Sequence, residues 1–129
     1  MKAPSPVKVL IADDDILVIE AIQEMLERIG HRVVGKAADG RQAVEAAQSL
    51  QPDVVLMDIV MPRMDGHELY LALQDKRPDL PVLMMTAFHY DKDHIIKRSR
   101  MEGLEGVIFK KPVDPDRLRR TIVESVAKR

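Results

Sequence analysis

Apolar residues recur along this chain in two alternating rhythms. Short runs occupy residues 7–12 (VKVLIA), 32–37 (RVVGKA), 54–57 (VVLM), 82–85 (VLMM) and 107–109 (VIF). Each is strand length, and most are apolar at both parities, as in strands covered on both faces. Between them the apolar residues return at steps of three and four. Ile16, Ile19, Ile22, Leu26 and Ile29 would line one face of a helix over 16–29. A second helix is predicted over 41–50, with Val44 and Ala47 inward and Asp39 or Gly40 as its cap. A third, over 66–76, carries Leu69, Ala72 and Leu73, and Pro78 stands just beyond its end. A helix over 91–101 is the least apolar of the set and is anchored by Ile95 and Ile96. The last, over 115–127, carries Leu118, Ile122 and Val126. Asp114 precedes it, and Pro115 takes the first position, where proline's fixed φ suits a helix.

Strands that alternate with helices form βα units on a parallel sheet, with right-handed crossovers. The fold class is therefore α/β. In such sheets ligands bind outside the carboxyl ends of the strands. The chemistry is to be sought in the residue that follows each strand.

The chain's 129 residues fit a single domain over 1–129 with one core, about 7–127, and a loose leader over 1–6. At 46% hydrophobic the chain has the material for that core. A net charge of −1 argues against a general nucleic-acid surface, and 3% aromatics against stacking of single-stranded bases. The absence of cysteine removes disulfides, thiolate metal sites and cysteine nucleophiles. No run approaches the ~20 apolar residues of a bilayer span. The opening MKAPSPVKVLIADDD turns acidic too early for a secretory signal, so the expected location is the cytoplasm, with no membrane partner.

The strand ends carry a distinctive set of side chains. Asp13, Asp14 and Asp15 follow the first strand, Asp58 the third, Thr86 the fourth, and Lys110, Lys111 and Pro112 the fifth. Crowded carboxylates repel one another, and a hard divalent cation such as Mg²⁺ relieves the repulsion through oxygen ligands. A carboxylate beside such a metal can attack phosphorus. The transferred oxygens then need a cation and hydrogen-bond donors, which Lys111 and Thr86 can supply. Taken singly, each residue has a plainer explanation. Asp15 suits a helix N-cap, Asp58 a turn, Thr86 a helix cap and Lys111 a solvated surface. Four matches in order, each at a strand end, outweigh those explanations.

With the motifs VLIADDD, DVVLMDIVMPRMDG, VLMMTA and FKKP in place, the sequence resembles the receiver domains of bacterial response regulators over about residues 7–127. The resemblance implies a flavodoxin-like (βα)₅ three-layer sandwich with strand order 2-1-3-4-5. It implies that Asp14 binds Mg²⁺ directly, Asp13 through water, and that the Val60 backbone carbonyl is a further ligand. Asp58 falls on the phosphoacceptor and metal-ligand position, Thr86 on the switch hydroxyl and Lys111 on the family's lysine. The Lys111–Pro112 bond is expected to be cis. The implied partners are a sensor histidine kinase or phosphotransfer protein, which donates from a phosphohistidine, and a downstream output protein. Phosphorylation would shift the surface formed by the fourth helix, fifth strand and fifth helix of the pattern. The domain would be a monomer or a weak, phosphorylation-dependent dimer, with no turnover activity of its own.

Several positions depart from the family. Its switch aromatic stands three residues before the lysine. That position is Ile108 here, and the nearest aromatic is Phe109, one place on. Either a bulge re-aims Phe109 or the aromatic switch is absent. The stretch from Thr86 to Lys111 is a few residues longer than usual, which places the extra length in 88–100 or 103–106. His89 and His94 within it lack metal-ligand spacing and read as surface residues. Val60 and Phe88 are apolar where the family controls access of water, so hydrolysis of phospho-Asp58 is expected to be slow. Met57, Met61, Met64, Met84 and Met85 read as core filling. Arg117, Arg119 and Arg120 read as the outer face of the last helix. The alternative function is a Mg²⁺-dependent aspartyl-phosphate hydrolase of small phosphate esters. Such an enzyme would place a second Asp where Val60 stands. Dinucleotide binding is disfavoured, since no G-x-G-x-x-G follows the first strand.

Overall fold

A computed structural model describes residues 6–58, 60–61, 64–86, 108–110 and 114–127. The elements run β1 (Lys8–Ala12), α1 (Ile16–Arg28), β2 (Arg32–Ala37), α2 (Gly40–Leu50), β3 (Val54–Asp58), β4 (Val60–Met61), β5 (Met64–Asp65), α3 (Gly66–Lys76), β6 (Val82–Thr86), β7 (Ile108–Lys110) and α4 (Pro115–Ala127). The five-stranded sheet has the order β2-β1-β3-β6-β7 with parallel pairs throughout. This is the 2-1-3-4-5 order expected from the sequence, because β4 and β5 form a separate antiparallel ribbon. The helix expected over 91–101, with His89 and His94, and the Lys111–Pro112 bond lie outside the described residues.

Strand periodicity divides the core in two. Leu10, Ala12, Val55, Met57, Val82 and Met84 pack with Ala43, Ala47, Leu69 and Leu73 of α2 and α3. The alternate residues Val9, Ile11, Val54, Leu56, Leu83 and Met85 pack with Ile19, Ile22 and Leu26 of α1 and with Leu118 and Ile122 of α4. All four side chains from Val54 to Met57 are fully buried, which explains why that run shows no alternation. Each full burial of a large aliphatic side chain contributes about 1.5–3 kcal/mol. One helix-face assignment is corrected. Ile16, placed inward by the periodicity, is 68% exposed. It opens α1, ahead of the turns that lie on the sheet.

Local chemistry sets the element ends. Asp15 accepts from the Leu17 and Val18 amides, Asp39 from Gln42, and Asp114 from Asp116 and Arg117. These N-caps satisfy amides with no helical partner. Helix α1 stops at Gly30, where φ is +93°. The Gly30 amide donates to Glu27 O at 3.2 Å and the His31 amide to Leu26 O at 2.9 Å, a Schellman closure. In β2 the register skips Val34, so Val9 pairs with Val33 and Leu10 with Gly35. A Cβ on Gly35 would lie 2.5 Å from Leu50 Cδ1 and 3.2 Å from Leu10 Cδ1, so the glycine admits close packing by α2.

The amino end of the sheet is latched by polar groups. Asp53 accepts from the Lys8 amide at 2.9 Å, and its own amide donates to Lys8 O at 2.8 Å. Arg77 donates to Pro52 O at 2.9 Å. His31 Nδ1 accepts from the Val7 amide at 3.3 Å. Burial holds the His31 imidazole below its ordinary value of 6.5.

Two outcomes are expected. Gly30→Ala should lower stability by about 1 kcal/mol through backbone strain, since the added methyl meets nothing within 4 Å. Urea unfolding measures this, and an unchanged midpoint would refute it. Because the folded pKa of His31 lies below the unfolded one, the unfolded chain takes up the proton first. Its contribution is complete above the unfolded value and is lost as pH falls below 6.5. His31→Gln, which can still accept from Val7, should lose less stability between neutral pH and about pH 5.5 than wild type. Equal losses would remove His31 from the account.

Candidate functional site

Parallel register assembles the site. The last rung between β1 and β3 pairs Ala12 with Met57, so Asp13 and Asp58 come next on adjacent strands. Asp58 itself pairs with Met85 of β6, and Thr86 is one step further. Asp13 is fully buried, Asp58 is 8% exposed, and Asp14 is exposed. A carboxylate oxygen from each of the three lies within 4.8 Å of the others. The sequence-predicted acids of two separate loops therefore do meet.

Asp13 is fixed from both sides. Its amide donates to Ala37 O at 2.9 Å, which ties the strand end to β2, and its Oδ1 accepts from the Asp15 amide at 2.9 Å. Asp15 spends its carboxylate on the start of α1, as its bland explanation anticipated. The acidic triplet thus divides into two residues that face Asp58 and one that caps a helix.

Three carboxylates at this spacing, two of them buried, raise a local negative potential that a hard divalent cation satisfies with oxygen ligands. The exposed Asp14 leaves one side of the cluster open to solvent. Val60 begins the β4–β5 ribbon two residues after Asp58 and pairs with Asp65, which keeps its backbone beside the strand end. Thr86 ends β6 and pairs with Lys110, while Ile108 stands beside Met84 and Phe109 beside Met85 in regular register. Lys111 lies outside the described residues.

The sequence reading missed an apolar step next to the acids. Ile16 and Leu17 are 68% and 75% exposed, directly after the Asp15 cap. A signal for it existed, since consecutive residues at a helix start cannot both face the sheet.

The family model for the response regulator receiver domain matches residues 9–123. The transcriptional regulatory protein PdtaR of Mycobacterium tuberculosis is 38% identical over 108 residues, covering 84% of this chain and 51% of PdtaR. The alkaline phosphatase synthesis transcriptional regulatory protein PhoP of Bacillus subtilis is 33% identical, over 69% of this chain and 37% of PhoP. The chain thus spans about half the length, or less, of these curated relatives. Among solved structures, the signal receiver domain of a modulated diguanylate cyclase from Desulfovibrio desulfuricans superposes with a TM-score of 0.80 at 29% identity, covering 96% of each chain. A chain of the CheX-CheY-BeF3-Mg complex from Borrelia burgdorferi superposes at 0.78 with 26% identity, over 95% of this chain and 90% of that one. Motifs, strand order, acidic cluster and family match agree: the chain belongs to the receiver domains of two-component response regulators.

Proposed function

We propose that Asp58 is the phosphoacceptor, loaded from a phosphohistidine on a sensor kinase or phosphotransfer protein. The meeting of Asp13, Asp14 and Asp58 carries this reading. One Asp58 oxygen attacks phosphorus, a P–O bond forms, the P–N bond breaks, and the imidazole nitrogen takes the electron pair. Asp14, Asp58 and the Val60 carbonyl would hold Mg²⁺ directly and Asp13 through water; when bound, the ion neutralises charge on the phosphoryl oxygens.

Thr86, one step past the Asp58–Met85 pair, supplies the switch hydroxyl, and Lys111 supplies the cation. Asp13 keeps the loop in place through Ala37 and Asp15. The exposed pair Ile16–Leu17 gives an incoming phosphodonor protein an apolar foothold beside Asp58. Occupied and unoccupied states would then differ in the packing of β6, β7 and α4, with Ile108 and Phe109 as candidate relays between them. The domain works as a switch rather than by turnover.

Incubation with acetyl phosphate and Mg²⁺ should add one phosphoryl mass to wild type and none to Asp58→Ala, or to wild type with EDTA. An unmodified wild type would refute the reading. Steady phosphate release from p-nitrophenyl phosphate would favour a phosphohydrolase instead. Once formed, phospho-Asp58 should persist for minutes or longer, because apolar Val60 cannot orient water. Val60→Asn should shorten that lifetime severalfold. Loss from wild type within seconds, or no change in the variant, would overturn this second expectation.

A further inference from the structure

A second cleft lies at the opposite end of the sheet from the carboxylates. The turn after α1 (Ile29, Gly30, His31) forms one wall and α4 the other of an open groove of about 550 Å³. That is the size range of small-ligand pockets. Arg119, Arg120 and Glu124 line it together with Val123, which is 37% exposed.

The charges on this wall are largely unspent. Arg119 reaches Asp116 only at 4.0 Å, through exposed side chains, which contributes little. Arg120 and Glu124 are four residues apart on α4, yet among the described residues they form no ion pair. On the facing wall, His31 Nδ1 accepts from the Val7 amide, so the imidazole hydrogen sits on Nε2. That Nε2 is buried with no acceptor among the described residues. Folded proteins rarely leave such a donor unsatisfied. The space beside Gly30 is open, with nothing within 4 Å of an added Cβ.

We propose that this cleft binds a small organic carboxylate with an apolar body. The carboxylate meets Arg119 and Arg120, whose charges have no close partner among the described residues. The apolar body lies on Ile29 and Val123. Glu124 faces the same space and repels a doubly charged anion more than a singly charged one. The contacts of the apolar body with Ile29 and Val123, which inorganic phosphate cannot make, favour the organic carboxylate.

Phenylacetate, N-acetylphenylalanine and inorganic phosphate, titrated separately into ¹⁵N-labelled protein, test the assignment. The two carboxylates should shift the Gly30, His31 and Val123 amides and saturate in the millimolar range, with phosphate failing to saturate there. Arg120→Gln should weaken binding severalfold, Glu124→Gln should tighten it, and Asp58→Ala should leave it unchanged. Shifts that never saturate, shifts confined to the Asp58 end, or an Arg120→Gln variant that binds like wild type would each overturn it.

Discussion

Repulsion between carboxylates at the ends of adjacent parallel strands is the constraint on which this molecule turns. The pairing of β1 with β3 leaves Asp13 and Asp58 no freedom to separate, because the rungs behind them are fully buried. Hydrophobic burial, spread over two core layers, holds together charges that would drift apart in solution. The stable part of the fold thus presents three carboxylates together at one edge, an oxygen-rich set of the kind a hard divalent cation takes as ligands.

Much of this was written in the sequence. The doubly apolar runs marked strands buried on both faces, and the alternation with helical periodicity gave the parallel topology. The acids were legible because the sheet's geometry names the strand ends as the place to look. Other features were not. Ile16 shares the spacing of the buried face of α1, yet it lies in the first turn, where periodicity does not report what is covered. The skip at Val34 depends on how β2 meets β1, which no local pattern encodes. The cleft between Gly30 and α4 joins residues about ninety positions apart, and on its own the pattern shows Arg119 and Arg120 only as an outer helix face.

The two ends of the sheet differ in kind. The amino end is locked by Asp53 with Lys8, by Arg77 with Pro52 and by His31 with Val7. At the carboxyl end, β3 is followed by the two-rung β4–β5 ribbon, and Asp14 is exposed to solvent. The polar latches thus fix the strand register at the end away from the acids.

The order in which the chain is made adds a last consequence. All three clustered acids stand within the first 58 residues, but the core behind their strand ends draws on Leu83, Met85, Leu118 and Ile122, which are made later. A nascent chain therefore gathers its carboxylates only once its last helix has emerged, and the charge cluster is a late product of folding.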